Sequence, residues 1–512
     1  MLCLYYTLIK KFDQQILYKN GNLEMKTYDK KDKNSILKYT KQLDNKTVNQ
    51  VIDEYIDTVN EQSTSYMNDL FTENTASFIG EDLPTYGTNT NNNKKYKGKG
   101  GFGNYLEEVY FGKPNDNESK PDFDEAGIEL KTSPLKFLKN GEIRVKERLV
   151  LNHFTYRDIA KETFENSHFL KKDSFILLVF YFYDQTKELG DLKISFSDFW
   201  KCMEEDSAQI KEDWQTIVTK IKAGKAHELS EGDTLYLGAC TKGATAASSM
   251  QDQPNSDIKA RGRALCFKTN YINIIYRTLK DRQNLNQKQI PHLFLNKEKS
   301  FKEQVIETYR PYLGLSSKEI GTRLNLSFKD NFKSQYAYIA RNILGLKQTT
   351  KNIFEFEASG LQLKTIRVEP NYKIKESISF PAFDYCEILE EEVWENSTLY
   401  NQITSQFIFV LFKHNSTDDL YYLDKVIFWH VPTKDFDLIE SVWKDTKKKI
   451  EANNYDNFIK IKNKRKVHIR PHDRNSKNKT MSTPQGEKRS RVSFWLNNNY
   501  IKEEVIDKTY NI

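Results

Sequence analysis

The sequence predicts an α/β protein in which a mixed central sheet flanked by helices occurs twice. Segments with helical periodicity alternate with apolar, strand-like segments, as expected when helices pack around a sheet. The second half of the chain then repeats the order of the first half, and part of that repeat is visible residue by residue. At 512 residues the chain is also long enough for two or three domains.

The first half predicts amphipathic helices, apolar strands and one low-complexity loop. In chain order these are a helix over 28–75, a loop rich in Asn, Lys and Gly over 86–103, a helix over 103–111, a hairpin over 122–131, strands over 149–151 and 175–183, a helix over 207–228 and a strand over 234–240. The strands over 149–151 and 175–183 are apolar throughout, which is typical of strands buried on both faces.

The repeat is clearest around the predicted hairpin. Residues 356–365 match residues 123–132 without a gap, at an offset of 233 that also places Gly112 on Gly345 and Lys131 on Lys364. Two later pairs of segments also resemble each other, namely 175–180 with 407–412 and 267–272 with 496–501.

The repeat divides the chain into an extension and two domains of one fold. We predict an N-terminal extension over 1–27, with Met25 as an alternative start, a first domain over 28–290 and a second domain over 300–512.

The composition narrows the class of protein. Charged residues make up 29% of the chain, and no apolar run approaches the ~20 residues that a membrane span needs. The N-terminus lacks the features of a signal peptide. Five scattered cysteines without metal spacing fit a reducing cytoplasm. These observations predict a cytoplasmic protein that does not enter membranes.

One motif carries the clearest chemistry. Asp122 follows Pro121, and Glu129 and Lys131 come shortly after it, two residues apart, so that both point to one face of a strand. Carboxylates are the hard oxygen ligands that Mg²⁺ accepts, and a nearby lysine can hold developing negative charge. This pattern indicates a metal-dependent phosphodiesterase site, although a hairpin with a solvated charged edge carries the same residues.

The second copy differs at the charged positions. At the offset of 233, Glu108 becomes Arg341, Asp122 becomes Glu355 and Glu129 becomes Gln362, whereas Lys131 is kept as Lys364. An arginine and a neutral amide remove most of the charge that would bind a divalent cation. The second domain is therefore predicted to be catalytically inactive.

Longer segments resemble a known family. Residues 103–112, 120–122 and 126–132 are similar to the MutH family of GATC-directed endonucleases, whose fold is restriction-endonuclease-like, of the PD-(D/E)xK type. Residues 146–152, 224–232 and 240–244 resemble more specifically the Sau-type type II restriction endonucleases. The resemblance extends over nearly the whole chain, including its doubled architecture.

The resemblance implies Mg²⁺-dependent hydrolysis of double-stranded DNA at 5′-GATC-3′. It implies that Asp122 and Glu129 bind the metal, that Lys131 assists water and the transition state, and that Glu108 is an auxiliary carboxylate on the preceding helix. Glu107 is the rival for this last role, because the carboxylate that faces the site should be the functional one. Lys172 resembles a further basic residue of the family's site, with an ordinary strand-edge lysine as the alternative.

DNA contacts are expected after the strand over 234–240 and at its counterpart. Lys242 matches one position of the Arg-Pro-Lys-like loop of nicking members, and Arg470 precedes Pro471 at the corresponding place in the second domain. Arg470 and Lys466 belong to a segment over 462–479 that has eight basic residues and one acidic residue, which suits a phosphate backbone but also a solvated loop. Tyr271 and Tyr500 are candidate DNA-facing aromatics, with a buried core tyrosine as the alternative for each.

The combined expectation is a restriction endonuclease whose second domain binds DNA without cutting it. That domain would engage another site as an effector or help a monomer to dimerise on DNA. Two alternatives remain open: a mismatch-repair nickase that cuts the unmethylated strand, and a DNA-binding protein without catalysis.

Overall fold

The structure is a computed structural model with full side chains. It describes residues 16–19, 22–25, 28–57, 96, 100–114, 119–138, 140–202, 206–242, 249–283, 290–294, 299–327, 334–346, 353–472 and 480–510. The chain divides into two compact units. Unit 1 comprises Met1–Leu149, His168–Met203 and Arg282–Asn284, and unit 2 comprises Val150–Ser167, Glu204–Asp281 and Leu285–Ile512. In the part of the chain that is described, no helix is long and apolar enough to cross a membrane.

Unit 1 is built around one four-stranded sheet. The strands of that sheet are β3 (Glu129–Phe137), β4 (Ile143–Val145), β6 (Phe175–Phe182) and β7 (Ile194–Lys201). Two further strands of the unit, β1 (Ile16–Lys19) and β2 (Asn22–Met25), pair with each other in a separate two-stranded sheet. The helices of the unit are α1 (Lys33–Thr40), α2 (48–57), α3 (Gly101–Tyr105) and α5 (His168–Asp173). The sheet order is β4-β3-β6-β7, with β3 and β6 parallel and β7 antiparallel to β6.

Among the described residues, unit 2 contains three three-stranded sheets and two two-stranded sheets, which take their strands from both halves of the chain. Its strands are β5 (Leu149–Phe154), β8 (Leu237–Thr241), β9 (Met250–Gln253), β10 (Ser256–Arg261), β11 (Arg263–Phe267), β12 (Gln362–Val368), β13 (Ile378–Phe383), β14 (Phe407–Asn415), β15 (Leu420–Trp429), β16 (Val467–Pro471), β17 (Met481–Ser482), β18 (Lys488–Arg489) and β19 (Val492–Leu496). The first residue of β5 is assigned to unit 1.

Along the chain, the helices of unit 2 are interspersed with these strands, and the last two follow the final strand. In chain order, the helices are α4 (Tyr156–Ile159), α6 (Ser207–Lys222), α7 (Thr269–Gln283), α8 (Phe301–Tyr309), α9 (Ser317–Arg323), α10 (Gln335–Ile343), α11 (Phe354–Ser359), α12 (Glu387–Glu390), α13 (Thr398–Ile403), α14 (Phe436–Glu451), α15 (Asn498–Ile501) and α16 (Lys508–Tyr510).

The strand order of the first half recurs in the second half. β14 pairs parallel with β12 and antiparallel with β15, just as β6 pairs parallel with β3 and antiparallel with β7. The sheet β13-β19-β16 likewise repeats β5-β11-β8. Tyr271 donates a hydrogen bond to Asp206 at 2.7 Å, and Tyr500 donates one to Asp435 at 2.7 Å, so even individual contacts are repeated.

Strand register corrects one detail of the sequence alignment. Glu129 pairs with Ile176, and its counterpart Gln362 pairs with Phe407. Ile176 therefore corresponds to Phe407, whereas the comparison of the two apolar segments matched Phe175 with Phe407. Similar apolar runs do not fix register by themselves, because only the pairing decides which side chains face the core.

Several predicted elements are confirmed, and one is wrong. The strands over 149–151, 175–183 and 234–240 and the helix over 207–228 appear as β5, β6, β8 and α6. The helix predicted over 28–75 is broken in its described part, because Asn45 adopts a left-handed backbone (φ 66) between α1 and α2. The remainder of that helix, most of the 86–103 loop and most of the N-terminal extension lie outside the described residues.

Candidate active site

The candidate site lies in unit 1, where α3 and the start of β3 meet. Phe123 and Ile128 form an antiparallel bridge, so the chain turns tightly between Asp122 and Glu129. Gly127 has a positive φ (65), which places it in the left-handed region that favours glycine. This turn brings Asp122 back onto the first residues of β3.

Asp122 and Glu129 are held side by side through the backbone. The Asp122 amide donates to Glu129 Oε2 at 3.1 Å, and the Leu130 amide donates to Asp122 Oδ2 at 2.9 Å. Each carboxylate thus accepts a hydrogen bond from a backbone N–H with one of its two oxygens. The second oxygen of each faces lysine side chains.

Three lysines supply those contacts. Lys113 Nζ lies 2.8 Å from Asp122 Oδ1, Lys131 forms a short ion pair with Glu129 Oε1, and Lys172 Nζ lies 3.7 Å from the same oxygen. Glu129 is only 2% exposed, so these interactions are weakly screened by water. The prediction that Glu129 and Lys131 share one face of a strand is confirmed, and Lys172 lies beside them.

Glu107 is the helix carboxylate that faces this cluster. Burial raises its pKa to about 7, and the charges of Asp122 and Glu129 add to the increase, while Lys113 and Lys131 oppose it. Glu108 instead accepts a hydrogen bond from the Tyr96 hydroxyl at 2.8 Å. Of the two glutamates, Glu107 is thus the one whose pKa responds to Asp122 and Glu129, and the auxiliary role of Glu108, with Glu107 as its rival, stays a prediction.

Asp173 is a member of the cluster that sequence reasoning missed. It is fully buried at the end of α5, and neither of its carboxylate oxygens receives a hydrogen bond from any residue that the structure describes. Burial raises its pKa to about 7, against the opposing charge of Lys131. An acidic residue directly before the apolar strand β6 was the available signal, since carboxylates are seldom buried without a functional or structural partner.

Lys131 carries its proton at neutral pH. Burial lowers the pKa of its ammonium group, but the charges of Asp173 and Glu129 outweigh burial and raise it overall. Lys131 therefore places a positive charge beside Glu129.

The residues present fit a hard divalent cation. Asp122 Oδ1 and Glu129 Oε1 are carboxylate oxygens whose contacts are with ammonium groups, and a cation could take the place of such contacts. Among the described residues, no three acidic, histidine or cysteine side chains are grouped closely enough to hold a metal by themselves. A metal here would need ligands besides these two carboxylates, such as water or substrate oxygens.

The predicted DNA-contacting residues lie in unit 2, apart from Lys172. Lys242 directly follows β8, and its amide donates to Gly262 O at 2.8 Å; the residues directly after it lie outside the described chain. Arg470 is exposed on β16, with its guanidinium 4.7 Å from the centre of the Trp495 ring. Lys466 lies 4.5 Å from the Tyr500 ring centre and 3.7 Å from Asp435 Oδ1.

Tyr271 and Tyr500 are core residues. They are 1% and 2% exposed, and their hydroxyls bind buried or partly buried aspartates. Their placement matches the alternative of a buried tyrosine and leaves little ring surface for DNA. Residues 473–479 of the predicted basic segment lie outside the described residues.

The corresponding place in the second half is organised differently. Glu355 Oε1 lies 3.1 Å from His292 Nδ1, and Glu355 Oε2 accepts the Leu293 amide at 2.9 Å. Lys364 donates to the Ser379 carbonyl at 2.8 Å, and burial lowers its pKa to about 8. The carboxylate of this copy is thus bound by residues from the segment over 290–294.

Comparison with known proteins identifies the family. The MutH family model (DNA mismatch repair enzyme MutH) matches residues 111–213 and again residues 344–441, two stretches that begin 233 residues apart (344 − 111 = 233). The fold and the match define a MutH-like DNA endonuclease. The chain is 35% identical over 458 residues to the type II restriction enzyme Sau3AI of Staphylococcus aureus, which covers 78% of this chain and 91% of that protein.

Two mismatch repair proteins match a shorter part. The DNA mismatch repair proteins MutH of Vibrio campbellii and of Vibrio parahaemolyticus are each 25% identical over 175 residues, or 34% of this chain and 75% of theirs. The chain belongs to the family of MutH-related type II restriction endonucleases.

Proposed function

We propose that this protein is a type II restriction endonuclease that cleaves both strands of DNA at 5′-GATC-3′ in an Mg²⁺-dependent reaction. The observation that carries the proposal is the cluster formed by Asp122, Glu129, Lys131 and Lys172, in which each of the other three residues contacts Glu129. The similarity to a restriction enzyme over most of the chain supports double-strand cleavage.

Each residue of the cluster has a role in this proposal. Asp122 and Glu129 would hold Mg²⁺, which supplies a Lewis acid for the attacking water and the phosphate oxygens. Lys131 and Lys172 hold positive charge where a phosphate would bind, and Asp173 keeps Lys131 protonated. Glu107, in the helical turn that follows α3, adds a carboxyl group beside the cation site.

The second half is proposed to be a MutH-like domain that binds DNA without cutting it. Glu129 is replaced by Gln362, and both oxygens of Glu355 are already bound by the chain itself. The proposed boundaries remain 28–290 for the catalytic domain and 300–512 for the effector domain. In this proposal the monomer dimerises on DNA and works in the cytoplasm, where that DNA lies.

Digestion of DNA of known sequence tests the proposal. With Mg²⁺, the protein should produce double-strand breaks whose mapped ends fall at every GATC site, and Asp122→Ala should abolish them. Ends at another sequence would overturn the assigned specificity, and an Asp122→Ala protein as active as the parent would overturn the assigned site.

The same assay distinguishes restriction from mismatch-repair nicking, the alternative that the similarity to MutH proteins supports. On hemimethylated plasmid, a nickase would cut the unmethylated strand alone and leave the circle nicked. Double-strand breaks on unmethylated plasmid support restriction. Specific binding to GATC without any cut would instead indicate a DNA-binding protein.

A further inference from the structure

Lys113 forms an ion pair with the carboxylate oxygen of Asp122 that accepts no hydrogen bond from the described backbone. It follows Gly112, whose positive φ (61) ends the helical segment that carries Glu107. Its Nζ lies 2.8 Å from Asp122 Oδ1, and the two side chains are 20% and 12% exposed. Because Oδ2 accepts the Leu130 amide, Oδ1 is the oxygen that a cation would bind.

The position of Lys113 differs from that of the other two lysines. Lys131 and Lys172 both face Glu129 Oε1, whereas Lys113 faces Asp122. Each carboxylate of the site therefore has its own ammonium group. A carboxylate with little exposure to water is stabilised by a nearby counter-charge, so Lys113 stabilises Asp122 when no metal is bound.

The second copy provides an internal comparison. At the offset of 233, Gly345 keeps the positive φ (70) of Gly112, but Lys113 becomes Leu346, which is 3% exposed. There the carboxylate at the Asp122 position, Glu355, is bound by His292 and Leu293. The lysine is thus absent in the copy whose carboxylate has other partners, although the backbone that would present it is retained.

We propose that Lys113 is an internal counter-cation that binds Asp122 in the metal-free protein and must be displaced by the divalent cation. It therefore sets how tightly the site binds metal. This inference rests on the proposed metal-dependent function, since it assumes that Asp122 is a metal ligand. The positive charge of Lys113 weakens metal binding and prevents the two carboxylates from repelling each other before the metal arrives.

Metal binding without DNA tests this role directly. Isothermal titration of the full chain with Mn²⁺ alone would compare the parent with Lys113→Met, which removes the charge and keeps the length of the side chain. We expect Lys113→Met to bind Mn²⁺ about tenfold more tightly, because the competing ammonium is gone. Its melting temperature in EDTA should fall, and Mn²⁺ should raise it by more than in the parent.

Three further variants control the test. Lys113→Arg keeps the charge and should bind Mn²⁺ like the parent. Lys113→Gln can still donate to Asp122 and replaces the Met variant if that variant does not fold. Lys120→Met removes an exposed lysine (62% exposed) near the same turn and should change nothing.

Two outcomes separate this inference from the proposed function. If Lys113→Met and Lys113→Gln bind Mn²⁺ no more tightly than the parent while Asp122→Ala abolishes binding, Lys113 is not a competitor and the metal site stands. If Asp122→Ala also leaves Mn²⁺ binding unchanged, Asp122 is not a ligand, and the assigned site fails together with the inference.

Discussion

Two adjacent glutamates on one helical turn have different environments, and this difference should be visible in catalysis. Burial and the charges of Asp122 and Glu129 raise the pKa of Glu107, while Glu108 accepts a hydrogen bond from the Tyr96 hydroxyl. Glu107→Gln should lower the DNA cleavage rate at saturating Mg²⁺ by about tenfold or more, because a charge at the site is lost. Single-turnover cleavage of a duplex with one GATC site measures this change in the cleavage rate.

Glu108→Gln is the matched control, since it makes the same chemical change at the neighbouring position. It should keep most of the parent's rate, because an amide oxygen can still accept the hydrogen bond from Tyr96. If Glu108→Gln lost more activity than Glu107→Gln, the roles of the two residues would have to be exchanged.

Asp173 should make the stability of the metal-free protein depend on pH. Its pKa is raised from 3.8 to about 7, so the folded protein binds this proton more tightly than the unfolded chain does. Stability from this group is therefore present at low pH and is lost as pH rises from about 4 to about 7. Asp173→Asn removes that titration, so its melting temperature relative to the parent should increase across this interval.

Thermal denaturation in EDTA at several pH values measures the effect. Asp124→Asn, which changes an exposed carboxylate of the same unit, should follow the parent at every pH. A constant difference in melting temperature between Asp173→Asn and the parent from about pH 4 to about pH 8 would show that Asp173 does not titrate in this range.

At the level of elements, the sequence predicts what is periodic and misses what depends on folding. The apolar runs of β5 and β6 and the amphipathic helix α6 could be located because their periods are local. The break at Asn45 could not, because it depends on one residue's left-handed backbone. Likewise, Asp122, Glu129 and Lys131 are close in sequence and were found, whereas Asp173 reaches them only through the pairing of β6 with β3.

Asp213 on α6 fixes the start of β8, the strand that leads to Lys242. Its two buried oxygens accept the amides of Leu235, Tyr236 and Leu237 at 2.6–2.9 Å. Asp213→Ala leaves these N–H groups without their acceptor and should lower the free energy of unfolding by about 3 kcal/mol. Urea denaturation followed by tryptophan fluorescence measures the change.

Lys222→Ala on the exposed side of the same helix is the control and should alter stability by less than about 0.5 kcal/mol. If Asp213→Ala were equally mild, water or rearranged side chains would have to replace the lost acceptor, and Asp213 would not be needed to position β8.

For the whole molecule, the contacts within unit 2 matter most for the effector proposal. Asp233, close before β8, contacts His430 Nε2 at 3.0 Å, and its carbonyl accepts the Gln406 side chain at 3.0 Å. Burial would raise the pKa of Asp233, but His430 and Lys220 outweigh it and lower the pKa to about 2. An ionised, buried aspartate thus links the second half to the segment that ends in Lys242.

Through this link, the effector site that we propose in the second half would have a physical route to the first half. Arg470 is exposed on β16, whereas the equivalent position of β8 carries Cys240, which is buried. If the second domain engages an additional GATC site, DNA with two sites should be cut faster than DNA with one. Arg470→Ala should remove that advantage and leave the one-site rate unchanged.

The size of the effect follows from the contact that is lost. A bidentate arginine–guanine contact is worth about 1–3 kcal/mol, so the two-site rate should fall by roughly tenfold at limiting protein. Lys462→Ala, in the same basic segment but without a proposed base contact, should weaken binding slightly at low salt and keep the two-site advantage. Equal rates of the parent on both substrates at all protein concentrations would remove the effector model. If the parent cuts two-site DNA faster than one-site DNA and Arg470→Ala does the same, the effector contact lies elsewhere. The second domain would then bind its DNA site without this arginine.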